Sequence, residues 1–293
     1  MHGEQLSSRK MTRGVYFLSN NVMYDLTIAF LNSLRTYNPT IPLVLIPYDE
    51  NTDQIEALQD TYQFDIFRPM ALFNECDQMS RRWHDSVRGE YRKFAIWEGR
   101  FDEFIYIDID TVVLDDLSFC FEVLQEYGCI TATSNIPAIR KFVWLDGVEE
   151  CGILDAEQIA YSANTGFIVS KKGFFNFEWV KQRLEHIEGI EKYMEFFCLE
   201  QPVLNYLIVT SGKPYTSLFA LRLSGKNANV PNEYWGGSDI GEIKNGKMYS
   251  KNHGQIFLIH WAGVWRLKDQ MPNKEIWDFY RNMQAPLCEP RNI

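Results

Sequence analysis

The chain has 293 residues, of which 46% are hydrophobic, and a formal net charge of −10. A chain of this size can bury one large core or two smaller ones, and the simplest interpretation is a flexible segment over 1–13 followed by a single domain over 14–293. The acidic charge and the lack of a long basic run argue against nucleic-acid binding. An anionic substrate would therefore need a metal ion, a few basic side chains or helix N-termini at its site.

The cysteines and the apolar segments bear on the compartment. The six cysteines are scattered without Cys-x-x-Cys spacing, which argues against a zinc site or a disulfide framework and is typical of buried thiols in a reducing cytosol. Residues 1–13 lack the apolar core of a signal peptide, and no segment approaches the length of a membrane span. We therefore predict a cytoplasmic protein without a transmembrane segment. Weak peripheral contact with a membrane is compatible with this prediction.

The first part of the chain alternates β-prone apolar runs with segments of helical spacing. Strands are predicted over 14–18, 42–46 and 64–67, and helices over 23–34 and 53–62. This alternation favours an α/β fold with a mostly parallel central sheet flanked by helices, in which ligands bind beyond the carboxyl ends of the strands. The polar loop Ser19-Asn20-Asn21 follows the first strand, so it is expected at that edge of the sheet.

A further apolar run, Phe104 to Ile107, ends in Asp108-Ile109-Asp110. If strand geometry persists, both carboxylates project from one side and Ile109 turns toward the core. Two carboxylates at a strand end can bind Mg²⁺ or Mn²⁺ together with the phosphate oxygens of a substrate. Taken alone, the pair is more readily explained as solvating the strand end and beginning a turn.

The pattern is less regular after the two aspartates. Strands are predicted over 129–133, 165–169 and 255–259, the last ending at His260, and helices over 174–187 and 200–208. The aromatic and acidic stretch 142–161 is interpreted as a substrate-facing insertion. The stretch 225–251 is rich in glycine and asparagine, which predicts a mobile loop or hairpin that could act as a lid.

Four motifs follow one another along the chain. They are Lys93-Phe94-Ala95-Ile96-Trp97 with Asp108-Ile109-Asp110 eleven positions beyond Trp97, Asn164-Thr165-Gly166, Glu200-Gln201-Pro202-Val203-Leu204-Asn205, and His260-Trp261-Ala262-Gly263. Their order and spacing resemble the core of the family 8 glycosyltransferases, especially the glycogenin-like branch. Agreement of all four by chance is much less expected than agreement of any one, and the resemblance extends over nearly the whole chain.

The resemblance implies a GT-A type fold with a C-terminal acceptor-side region. It also implies transfer of a sugar, with retention of anomeric configuration, from a nucleotide-diphosphate sugar, a UDP-sugar being the expected donor. Asp108, Asp110 and His260 would bind Mn²⁺, or alternatively Mg²⁺, against the donor diphosphate. Imidazole with two carboxylates suits Mn²⁺ better, and the ion would neutralise the leaving nucleoside diphosphate. The resemblance does not identify the acceptor, which could be a sugar, a lipid or a protein.

The resemblance assigns roles to other residues as well. Gln201 would lie near the anomeric carbon, and Glu200 or Asn164 would orient sugar hydroxyls. The donor would be contacted by Ser19, Asn20, Asp25, Lys93, Ile109, Gly263, Arg266 and Lys268, in addition to the two aspartates. The family usually has a lysine six residues after the metal histidine, where this chain has Arg266, so the diphosphate clamp is assigned to Arg266 or Lys268. From residue types alone, helix capping explains Gln201 equally well.

Two other functions fit parts of the pattern. In a haloacid-dehalogenase-type phosphatase, Asp108 would be the phosphoryl nucleophile and Asp110 the general acid. That arrangement places the aspartates after the first strand of the catalytic domain and leaves Gln201 and His260 unexplained. A noncatalytic nucleotide-sugar-binding protein is the third function, and the intact set of Asp108, Asp110 and His260 argues against it.

Overall fold

The computed structural model describes residues 11–227, 229–236, 241–244, 247–250, 254–263 and 271–287. Residues 1–10 of the N-terminal segment lie outside these ranges, as do Arg266 and Lys268, to which the diphosphate clamp was assigned. No helix of the described ranges combines the length and the apolar composition needed to cross a bilayer.

Strands and helices alternate along the first half of the chain, as predicted. The strands are β1 (Arg13–Ser19), β2 (Leu43–Pro47), β3 (Phe64–Ile66), β4 (Glu103–Ile107), β5 (Thr111–Val113), β6 (Cys129–Thr131), β7 (Phe167–Lys171), β8 (Tyr215–Ser217), β9 (Asn232–Trp235), β10 (Glu242–Lys244), β11 (Lys247–Ser250) and β12 (Gly254–His260). The helices are α1 (Tyr24–Tyr37), α2 (Asp53–Glu56), α3 (Gln59–Tyr62), α4 (Met70–Arg81), α5 (Ser118–Val123), α6 (Pro137–Arg140), α7 (Ala156–Tyr161), α8 (Phe177–Glu185), α9 (Gln201–Val209), α10 (Leu218–Leu223) and α11 (Lys274–Asn282).

The central sheet has seven strands in the order β3-β2-β1-β4-β7-β6-β8. Strands β1 to β4 pair in parallel, β6 pairs in parallel with β8, and β7 is antiparallel to both of its neighbours. The sheet is therefore mostly parallel, as predicted. Because β7 runs opposite to β4, Phe167 at the start of β7 pairs with Ile107 at the end of β4. This reversal brings the residues before β7 to the carboxyl edge of β4.

A second, smaller sheet joins β10, β11, β12 and β5, with β9 paired in parallel to β12. The continuous strand expected through Asp110 is interrupted, because β4 ends at Ile107 and β5 begins at Thr111 in this second sheet. Strand β5 is antiparallel to β12, and Thr111 pairs with His260. Residues 108–110 therefore connect the two sheets.

Hydrophobic clusters cover both faces of the central sheet. Val15 and Phe17 of β1 belong to one cluster, whereas Tyr16 and Leu18 belong to the other. Alternation of this kind is the pattern of a strand buried on both faces. The expected packing of helices on both sides of the sheet is confirmed.

One local prediction needs correction. The helix predicted over 53–62 is divided into α2 and α3, because the amide of Leu58 donates to Ile55 O, three residues back, and interrupts the α-helical pattern. Lys93 lies on a 3-10 helix, Gly89–Glu98. Within 225–251, predicted as a loop or hairpin, β10 and β11 form an antiparallel pair that agrees with the hairpin, and β9 precedes them.

Candidate metal and donor site

Three strand ends bring together the residues predicted to bind a metal. Asp108 follows β4, Asp110 precedes β5, and His260 ends β12. One carboxylate oxygen of each aspartate and one imidazole nitrogen all lie within 4.8 Å of one another. A single cation with ligand bonds of about 2.1–2.3 Å can join atoms at this spacing after small side-chain movements.

Backbone hydrogen bonds fix the two aspartates on both sides. The amide of Asp108 donates to Gly166 O over 2.7 Å, and the amide of Trp261 donates to Asp110 O over 2.9 Å. The side chain of Ile109 between them is buried in the hydrophobic core, as predicted. The bend between β4 and β5 therefore directs Ile109 into the core and the two carboxylates away from it.

Gly166 packs directly against the side chains of Asp108 and His260. A Cβ atom at this position would be 2.8 Å from Asp108 Oδ2 and 3.0 Å from His260 Nε2. Because carbon atoms do not approach so closely without a shift of the neighbours, a larger residue here would displace the side chain of Asp108 or His260. Two carboxylates and an imidazole at this spacing form a donor set that fits Mn²⁺.

His260 is buried between two carboxylates. Its Nδ1 lies 2.6 Å from Glu233 Oε1, and its Nε2 lies 3.2 Å from Asp110 Oδ1. Burial opposes protonation of the imidazole, but Asp110 and Glu233 raise the pKa of His260 well above its ordinary value. A cation at Nε2 would therefore compete with a proton.

Lys93 lies beneath the metal site and is only 2% exposed. Its Nζ is 2.5 Å from Glu200 Oε1 and 3.4 Å from Asp108 Oδ1, and it donates to Thr165 O. Burial opposes the charged form, but Asp108 and Glu200 raise the pKa of Lys93 above its ordinary value. Lys93 is therefore not a solvated surface lysine. Its ammonium connects Asp108 with the start of α9.

The predicted catalytic residues meet in one hydrogen-bonded segment. Gln201 Oε1 accepts from the amide of Thr165 over 3.2 Å, and its Nε2 donates to Phe142 O over 3.0 Å. Asn164 Oδ1 accepts from the amide of Gly166 over 2.8 Å. Burial raises the pKa of Glu200 to about 7, with Lys93 opposing this rise and Asp108 adding to it. All three residues therefore border the loop that approaches Asp108.

Comparison with known proteins bears on the fold. No protein-family model and no curated protein matches this chain. Among solved structures, the galactosyltransferase LgtC in complex with donor and acceptor sugar analogs is 13% identical, with 94% of this chain and 97% of LgtC covered and a TM-score of 0.59. The glycosyltransferase GlyE of Streptococcus pneumoniae TIGR4 is 15% identical over 94% of this chain, with a TM-score of 0.56. The bifunctional glycosyltransferase WbbM is also 15% identical over 94% of this chain, with a TM-score of 0.59.

The chain has the GT-A fold. It spans 61% of the length of GlyE and half of WbbM. At these identities the similarity establishes the architecture, so the predicted GT-A fold is confirmed and membership of family 8 stays a prediction. The two aspartates follow the fourth strand rather than the first, which contradicts the arrangement expected of the phosphatase.

Four of the other predicted donor contacts lie within the described ranges and are Ser19, Asn20, Asp25 and Gly263. Ser19 Oγ is buried 2.6 Å from Thr27 Oγ1, and Asn20 Nδ2 donates to Asp49 Oδ2 over 2.7 Å. Asp25 instead accepts two hydrogen bonds from the Arg281 guanidinium of α11, which gives this side chain a structural partner. Gly263 has a φ angle of 75°, a conformation that favours glycine.

Sequence analysis did not identify Glu233 and Thr133. Thr133 Oγ1 donates to Glu233 Oε2 over 2.8 Å, and the other carboxylate oxygen of Glu233 contacts His260. Neither residue belongs to a motif, and Glu233 falls in the stretch predicted as a loop or hairpin. Only the pairing of β9 with β12 reveals that it lies beside the histidine.

Proposed function

We propose that this protein is a metal-dependent glycosyltransferase that transfers a sugar from a nucleotide-diphosphate sugar to an acceptor, with retention of configuration. The observation that carries this proposal is the convergence of Asp108, Asp110 and His260 beside Gly166, at the carboxyl edge of the parallel strands of a GT-A fold. Ligands of open parallel sheets bind along this edge.

The three ligand side chains would hold Mn²⁺, with Mg²⁺ as the alternative ion. When bound, the ion supplies positive charge that neutralises the nucleoside diphosphate as the glycosidic bond breaks. Lys93 keeps Asp108 in place, because its ammonium lies 3.4 Å from the carboxylate. Tyr106 Oη also donates to Asp108 Oδ1, over 2.6 Å. The ligand is therefore oriented from two sides before any donor arrives.

Transfer with retention of anomeric configuration is consistent with the side chains at the start of α9. A double displacement would need a free nucleophile on the face opposite the leaving group, but Gln201 is an amide and Glu200 is buried against Lys93. A front-face transfer needs only positioning and charge stabilisation, since the departing phosphate can take the proton of the acceptor hydroxyl. In this mechanism Gln201 and Asn164 position the sugar and do not form a covalent intermediate.

The loop after β1 supports a nucleotide as part of the donor. Asn20 Oδ1 is buried and, within the described part of the chain, has no hydrogen-bond partner. Because Asn20 Nδ2 donates to Asp49, the free oxygen is the atom left to accept from a ligand. The N–H group of a nucleobase such as uracil is a suitable donor, so we propose a UDP-sugar as the substrate.

The direct test is release of nucleoside diphosphate. The protein is incubated with Mn²⁺ and a panel of UDP- and GDP-sugars, with phosphoesters in parallel, and both nucleoside diphosphate and inorganic phosphate are measured. We expect metal-dependent release of nucleoside diphosphate that Asp110→Ala abolishes. The matched control is Asp60→Ala, which removes an exposed carboxylate on α3 and should keep full activity. Release of phosphate alone, abolished by Asp108→Asn, would show a phosphatase instead.

A further inference from the structure

Strand β9 places a carboxylate beside the predicted metal histidine. Glu233 pairs in register with Leu258 of β12, and Trp235 pairs with His260. Residues two apart on a strand, and residues paired across strands, carry their side chains on the same face. The side chain of Glu233 is 7% exposed, and its Oε1 lies 2.6 Å from His260 Nδ1.

This contact determines which imidazole nitrogen can bind a cation. A carboxylate accepts hydrogen bonds, so the hydrogen atom of a neutral imidazole is placed on Nδ1 when Glu233 is ionised. The lone pair of Nε2 then faces Asp110, whose Oδ1 lies 3.2 Å away. Histidine ligands of metals commonly donate their second nitrogen to a carboxylate, which fixes the ring and strengthens the ligand.

Thr133 extends the arrangement to the opposite side of the site. Its hydroxyl donates to Glu233 Oε2 over 2.8 Å, while its carbonyl accepts from the amide of Asn164 over 3.1 Å. Glu233 therefore has a partner on each carboxylate oxygen. The same residue that orients Glu233 also anchors the segment that leads to Gly166.

We propose that Glu233 is a positioning residue that holds His260 in the orientation and tautomer required of a cation ligand, and that Thr133 holds Glu233 in turn. The inference rests on the metal site of the proposed function and not on sugar transfer. It concerns the chain's own residues, and the affinity for Mn²⁺ tests it without a donor or an acceptor.

The experiment compares the variants Glu233→Leu and Glu233→Gln with a substitution of another buried glutamate. Glu103 is the matched control, because it is 3% exposed and paired with Arg13 at the opposite end of β4 from Asp108. Mn²⁺ affinity is measured by EPR titration, and coordination by imidazole is measured from the ¹⁴N coupling of bound Mn²⁺ in a pulsed EPR experiment. We expect Glu233→Leu to weaken Mn²⁺ binding about 10–100-fold and to reduce the nitrogen coupling.

Three other variants complete the comparison. Glu233→Gln keeps an oxygen that can accept from Nδ1, so its loss of affinity should be smaller than that of Glu233→Leu. Thr133→Val should weaken binding in the same direction, and Glu103→Gln should leave both the affinity and the coupling unchanged. Thermal unfolding of each variant identifies any that fail to fold, and the near-isosteric Glu233→Gln then carries the test.

The possible outcomes separate positioning from other roles. Unchanged affinity and unchanged nitrogen coupling in folded Glu233→Leu would overturn the inference. If Glu103→Gln lost as much Mn²⁺ affinity as the Glu233 variants, the inference would also be overturned, since the effect would then reflect general destabilisation. If the wild-type protein binds Mn²⁺ but releases no nucleoside diphosphate from any nucleotide sugar, the proposed function fails and the positioning inference is still decided by the affinities.

Discussion

Replacing Lys93 by methionine removes the ammonium between two carboxylates and keeps most of the buried stem. Nζ of Lys93 lies 2.5 Å from Glu200 Oε1, and both side chains are almost completely buried. Breaking a buried ion pair by removal of one partner costs about 3–5 kcal/mol, because the other charge is left without compensation. We expect the free energy of unfolding to fall by about this amount at pH 8.5, where Glu200 is ionised in the wild-type protein.

The cost should depend on pH, and the sign follows from Glu200. Burial raises the pKa of this carboxyl to about 7, so the folded wild-type protein takes up a proton there and loses stability as the pH rises toward 7. Loss of Lys93 removes the main group that opposes this rise, so the pKa of Glu200 should increase further. Each additional pKa unit makes the cost of the substitution about 1.4 kcal/mol smaller at pH 5.5 than at pH 8.5.

Urea unfolding at the two pH values, followed by tryptophan fluorescence and circular dichroism, measures both effects. The double variant Lys93→Met/Glu200→Gln should recover much of the stability at pH 8.5, because no buried carboxylate is then left unpaired at position 200. Lys181→Met is the control, since the ion pairs of Lys181 with Glu75 and Glu178 are exposed, and it should show little change at either pH. A cost below about 1 kcal/mol at pH 8.5, or one independent of pH, would refute the reasoning.

Two further predictions concern the metal site. Gly166→Ala should weaken Mn²⁺ binding more than tenfold and abolish nucleoside diphosphate release. The control Gly173→Ala should change neither, because a Cβ atom at position 173 would meet no atom within 4 Å. Calorimetry measures the Mn²⁺ affinities, and equal values for Gly166→Ala and the wild-type protein would show that Gly166 does not line the site. Because Asp110 and Glu233 raise the pKa of His260, Mn²⁺ affinity should fall about tenfold for each pH unit below that pKa, as a proton replaces the ion at Nε2. A pH titration of Mn²⁺ affinity checks this, and a slope that His260→Gln leaves unchanged would contradict it.

The features that sequence reasoning predicted were those with local signals. Apolar runs predicted six of the seven strands of the central sheet, all except β8, and helical spacing predicted α1 and α9. The proximity of Asp108, Asp110 and His260 was implied by the order of the motifs, although the two aspartates alone favoured a turn. In the structure residues 108–110 form a bend between β4 and β5, and the two carboxylates lie close to the histidine.

The features that were missed depend on pairing between distant segments. Glu233 contacts His260 only because β9 joins β12 in one particular register, which no local pattern determines. The burial of Lys93 was equally invisible, since a lysine on a short helix is usually solvated and its partner Glu200 lies more than a hundred residues away. The position of Gly166 at the site follows from the reversed direction of β7, whereas alternating strands and helices favour a parallel one.

The interruption of the strand at Asp108 also affects how the two sheets are connected. Asp108 emerges from the central sheet, whereas His260 belongs to the second sheet and Asp110 is bound to it through the amide of Trp261. A divalent ion held by all three would therefore act as a cross-link between the two sheets. Since a ligand that binds only the folded state stabilises it in proportion to the logarithm of its concentration, the supply of metal would control how firmly the sheets are joined, even before a donor is bound.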